Sequence, residues 1–246
     1  MTKKKKKKKK NAGRKAAPPP SAGYFAATRR LSASYIFVAP LFAIYQGALA
    51  LDGSVRNGTA WIFSELLAPL REYGLVFVNC IVLGLLLVAI ARMRKDRARY
   101  PFLYGWMFLE SLLWTAAMVA LARVVAPVTL ALPPFTARLV SGAGAGVYEE
   151  VLFRFLLMGG LILVLHRALG GRLSWVVPLA VVTSSLLFSL AHHRIGGEPW
   201  DRGVFWYRAA MGGLLGVIFW ARGLGIVVYT HALYNVTVLI WDHIDG

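Results

Sequence analysis

Seven stretches of this chain are apolar almost without interruption over roughly the length needed to cross a bilayer: 32–51, 74–91, 102–122, 140–165, 175–193, 204–221 and 224–241. Each helical residue advances about 1.5 Å, so about 20 apolar residues span a hydrocarbon core about 30 Å thick. Polar breaks separate the stretches, notably the basic loops "ARMRKDRAR" (91–99) and "HRALGGR" (166–172) and a tight turn at Arg222. Two segments differ. In "NGTAWIFSELLAPLREYG" (57–74) the apolar positions are interrupted by Glu65, Arg71 and Glu72, as in an interfacial amphipathic helix. "VVAPVTLALPPF" (124–135) holds three prolines and is too short to span. The pattern predicts an all-α, polytopic transmembrane helix bundle of about seven to eight spans, in one domain over 31–246.

Composition agrees. Hydrophobic residues make up 58% of the chain and charged residues 16%, against about a quarter charged in a soluble domain. The formal charge of +17 belongs to a tail: the first 30 residues hold 12 of the 28 Lys and Arg and no acid. Beyond them 16 basic residues face 11 acidic ones. The lysine run at 3–10 reads as a contact with anionic lipid that keeps the N-terminus cytoplasmic, and no nucleic-acid partner is expected. With "AAPPPSAG" (16–23) as a linker, residues 1–30 form a disordered basic cytoplasmic tail. The first span reads as a retained anchor, because its apolar run is long and its leader is not short. With the 91–99 loop also cytoplasmic, alternation puts the start of the fourth span and the end of the chain outside. The expected location is the plasma or inner membrane of a prokaryote. The single cysteine, Cys80, excludes an intrachain disulfide and reads as a small buried residue.

Charge inside such helices needs a reason, since it costs at least ~3 kcal/mol per group on insertion scales. "GVYEEVLFRF" (146–155) places Glu149, Glu150 and Arg154 in the fourth span. On an α-helix Arg154 lies about 40° round from Glu150 but about 140° from Glu149. Arg154 therefore pairs with Glu150, leaving Glu149 as a carboxylate able to take a proton from water. In "FSLAHH" (188–193) Phe188 and His192 share a face, and His193 falls at the interface. In "YTHALYN" (229–235) His231 and Asn235 share a face and can aim at one point, as donors to an oxyanion do. Glu110, in the third span, is open to three readings: facing a cavity, holding a partner such as Arg138, or being protonated, with a structural role favoured. His166 and His243 sit near helix ends. The pairs Gly142/Gly146 and Gly212/Gly216 have the spacing that lets helix backbones approach closely.

Three motifs in this order, Glu-Glu-x-x-x-Arg, Phe-x-x-x-His and His-x-x-x-Asn on separate apolar helices, resemble those of the CAAX-protease and bacteriocin-processing family of intramembrane endopeptidases. The resemblance covers about 140–240 and leaves the tail and first spans outside. It implies hydrolysis of a peptide bond in a membrane-associated protein or peptide. Glu149 and His192 would activate water, His231 and Asn235 would stabilise the oxyanion, and Glu150, Arg154 and Phe188 would support the site. It also raises a zinc-dependent alternative, with Glu149, Glu150, His192 and His231 as candidate ligands; glutamate-dependent chemistry without a cofactor is favoured, since no H-E-x-x-H pair is present. Depth arithmetic puts Glu149 about 14 Å and His231 about 20 Å below the outer face, with His192 nearer the surface, so the site should open outward. A non-catalytic scaffold of the same fold and a proton-coupled transporter are the competing readings.

Overall fold

The computed structural model describes residues 23–51, 69, 73–93, 102–125, 142, 144–194 and 199–245. The lysine run, nearly all of the 57–74 segment, most of 124–137, and Arg138 lie outside them, as does the side chain of His243. Among the described residues all regular structure is helical: α1 (Tyr24–Thr28), α2 (Leu31–Leu51), α3 (Tyr73–Met93), α4 (Leu103–Val125), α5 (Gly144–Ala168), α6 (Leu173–Arg194), α7 (Arg202–Arg222) and α8 (Leu224–Asp245). The fold is an all-α polytopic bundle. Six helices are long and apolar enough to cross a membrane, and α3 carries a shorter apolar stretch, Cys80–Arg92. Each of the seven expected spans corresponds to a helix, six of them long and apolar enough to cross, with ends displaced by a few residues.

Three findings depart from expectation. Tyr24–Thr28, placed within a disordered tail, forms a helical turn docked on the bundle. Cys80, expected to be buried, is exposed on α3. The fourth span is not a uniform α-helix: Glu150–Met158 and Val164–Ala168 are π-helical. There the Gly159 N–H donates to the Arg154 carbonyl five residues back. Such wide turns are uncommon and often mark functional sites.

Packing follows the small residues. The apolar core runs through Met107, Met118, Leu215, Ile218, Ile226 and Val227, all essentially inaccessible. α4 packs on α8, α6 on α7, and α2 on both α3 and α8. Gly223 alone separates α7 from α8; its φ of 88° is left-handed, and a Cβ there would lie 3.0 Å from the Arg29 Cα. At the other end of α7, Asp201 caps the helix by accepting from the Val204 N–H at 2.8 Å.

Glu110 pairs with Arg222. The Arg222 guanidinium meets both Glu110 oxygens, its Nη2 at 2.7 Å from Oε2. The Tyr24 hydroxyl donates to Oε2 at 2.7 Å and the Trp114 indole to Oε1 at 3.3 Å. Arg222 also stacks over Phe25 at 4.1 Å. Burial and the Glu110 carboxylate push the Tyr24 hydroxyl above the ordinary phenol range. This cluster ties α1, α4 and α7 together and answers the buried charge of Glu110 structurally.

Candidate active site

The site lies near the start of α5 and the end of α6, against the first half of α8. Glycine makes it possible. A methyl on Gly146 would sit 2.9 Å from the Ala232 nitrogen and 3.0 Å from the Val228 carbonyl, so α5 and α8 are in backbone contact. Gly142 meets Asn235 in the same seam, with 3.2 Å from an added Cβ to the Asn235 Cβ. Gly212 of α7 fits beside Phe188 and Arg154 in the same way, at 3.1 and 3.3 Å. Both small-residue pairs thus bring helices together as their spacing predicts. We expect Gly146→Ala to cost about 1–3 kcal/mol of stability through overpacking and to abolish cleavage. Thermal unfolding in detergent checks this, with Gly160→Ala, where nothing lies within 4 Å of an added Cβ, as the control.

The close seam places the charged groups. Glu150 and Arg154 are wholly buried and paired, Oε1 to Nη1 at 3.2 Å. Arg154 also donates to the Gly212 carbonyl at 3.2 Å and lies 4.4 Å over the Phe188 ring. The same Glu150 Oε1 meets His231 Nδ1 at 2.7 Å. A carboxylate beside a guanidinium only accepts, so His231 Nδ1 carries a proton and its Nε2 points elsewhere. It faces Glu149, 3.8 Å from Oε2. On the other side His192 Nδ1 meets the Phe188 carbonyl at 2.9 Å. A carbonyl also only accepts, so in the neutral ring Nε2 is the basic nitrogen, and it faces Glu149 Oε1 at 3.9 Å. Glu149, 6% exposed, therefore sits between two imidazole Nε2 atoms at separations that a water molecule can bridge. Phe188 is the common support: its ring centroid lies 4.8 Å from that of His192 and 6.1 Å from that of His231.

The structure thus gathers Glu149, Glu150, Arg154, Phe188, His192 and His231. Asn235 stands one turn beyond His231 and donates to the Gly142 carbonyl at 3.3 Å. His193 is half-buried, bonded to the Pro199 carbonyl at 3.0 Å and packed on Trp200. His166 closes its own helix end on the Gly171 carbonyl at 2.7 Å. Sequence reading missed Ser184, Tyr207 and Tyr234. Ser184 lies two helical turns before His192 on the same face, which is a legible signal; the Tyr207–Tyr234 hydroxyl contact joins α7 to α8 and has no local one. Among the described residues no three His, Cys, Asp or Glu side chains are close enough together to hold a metal ion, and Glu150 is already engaged by His231 and Arg154.

Buried acid and imidazole groups from three helices thus converge, with Glu149 and His231 each 6% exposed. Residues 131–237 match the family model for Rce1-like proteins, described as type II CAAX prenyl endopeptidase Rce1-like. This region holds all three motifs, and the match supports a likeness to the CAAX-protease and bacteriocin-processing family. No curated protein and no solved structure matches the chain.

Proposed function

We propose that the protein is a glutamate-dependent intramembrane endopeptidase acting on a membrane-associated protein or peptide. The observation that carries this is Glu149, a carboxylate set between the Nε2 atoms of His192 and His231 at 3.9 and 3.8 Å. A water between Glu149 and His192 donates one proton to each and presents its oxygen lone pair to the scissile carbonyl. Attack forms a tetrahedral oxyanion as Glu149 takes the proton. His231, oriented by its bond to Glu150, donates from Nε2–H to the oxyanion. Asn235, on the same face, exchanges its bond to Gly142 for the oxyanion as the second donor. Collapse expels the amine, which receives the proton held by Glu149.

With the basic tail in the cytoplasm, the pocket faces the opposite side, where α2, α6 and α8 end. That suits the anchor of an exported substrate. The test is a comparison of protein termini in membranes from cells carrying equal amounts of wild type or Glu149→Gln. Termini that depend on Glu149 are expected and would name the substrate and cut site. An unchanged set of termini would refute the proteolytic reading and leave a scaffold or a proton carrier.

A further inference from the structure

Ser184, Phe188 and His192 recur every fourth residue along α6, so they form one stripe on one face. All three meet α5. The Ser184 hydroxyl donates to the Phe153 carbonyl at 2.7 Å, Phe188 packs edge-on against Phe153 with centroids 5.3 Å apart, and His192 Nε2 stands 3.9 Å from Glu149. The middle contact is apolar and does not define an axial position. The last is too long for a direct hydrogen bond. Ser184 makes a short, directional bond across this seam, and it is buried at 1% exposure.

Its acceptor lies within the π-helical stretch Glu150–Met158. Wide turns in a membrane helix need outside donors for carbonyls their own ladder satisfies poorly, and Ser hydroxyls supply them. The neighbouring Ser185 provides a contrast: its hydroxyl turns back to the Val181 carbonyl of its own helix at 2.6 Å.

We propose that Ser184 is a positioning residue that pins the axial register of α6 on the π-helical part of α5, and thereby sets the Glu149–His192 separation. A slip of one residue along a helix axis is about 1.5 Å, enough to lose a water bridged between the two groups. The inference rests on the proposed proteolytic role of Glu149 and His192.

The experiment compares wild type, Ser184→Ala, Ser184→Thr and Ser185→Ala, purified whole in detergent or nanodiscs. Cleavage is followed on a membrane-anchored substrate found from the termini comparison. Amide hydrogen exchange is followed over 153–159. For Ser184→Ala, kcat is expected to fall about 10- to 100-fold, as for misplacements near 1 Å, with KM unchanged and a displaced pH profile. Exchange should rise within 153–159. Ser184→Thr, which keeps the hydroxyl, should restore both, and Ser185→Ala should resemble wild type. Wild-type kcat in Ser184→Ala, or equal losses in Ser184→Ala and Ser185→Ala, would overturn the proposal. If wild type cleaves nothing, the proteolytic reading fails and the pin is judged by exchange alone: a rise specific to Ser184→Ala upholds it, and no rise refutes it.

Discussion

Glu149→Gln is expected to inactivate the protein while leaving it folded and inserted. The substitution keeps the shape of the side chain and removes its capacity to take a proton. General-base catalysis contributes about 10²- to 10⁴-fold, so kcat should fall by that order. Stability should hardly change, because Glu149 has no short bond in the site: its imidazole neighbours stand 3.9 and 3.8 Å away. Single-turnover cleavage, read beside thermal unfolding in detergent, checks both. His192→Ala should lose less, since the carboxylate alone still accepts the proton. Equal losses for the two substitutions would move the base from Glu149 to the pair.

Arg154→Ala has the opposite signature. Arg154 is wholly buried, pairs with Glu150, donates to Gly212 and covers the Phe188 ring. Removing it strands the Glu150 charge in an apolar seam. Breaking a buried pair in this way costs about 3–5 kcal/mol, and the variant should accumulate poorly. The double substitution Glu150→Gln with Arg154→Met should recover much of the lost stability, because no charge is left stranded and the thioether packs on the aromatic ring. It should not recover cleavage, since the Glu150 carboxylate that orients His231 is gone. Abundance and unfolding midpoints of the two variants, set beside their activities, separate these roles. A double variant as unstable as the single one would show that the pair contributes more through geometry than through charge balance.

Most of the bundle could be read from hydropathy, because lipid imposes one rule on every span: backbone groups must bond within the helix and side chains must be apolar. The exceptions to that rule then marked the site. Glu149, Glu150, Arg154 and His231 stand out because each is costly where it lies. The pairing of Glu150 with Arg154 follows from a four-residue spacing and survives the change to π geometry. What stayed hidden depends on which helices touch. For Glu110 the sequence leaves open a cavity, a partner such as Arg138 or a proton; its partner is Arg222, 112 positions away, and no local pattern specifies that distance. The π-helical stretches were also invisible, since a reading that assumes 3.6 residues per turn has no means of detecting a wider one. The bond from His231 to Glu150 needed the α5–α8 contact first, and the Gly142/Gly146 pair only hinted at which neighbour would be near.

The Glu110–Arg222 pair carries a consequence for biosynthesis. The carboxylate leaves the ribosome with α4, and its guanidinium partner follows 112 residues later at the end of α7. In that interval α4 must remain beside water or protein, or hold Glu110 protonated, since a lone charge in hydrocarbon is costly. Arrival of α7 removes that constraint, and after one intervening residue α8 begins to bring in His231. The proposed catalytic groups are therefore assembled last, once the helices that must contain them are already in place, and a chain stopped short of its final span would insert without being able to cut.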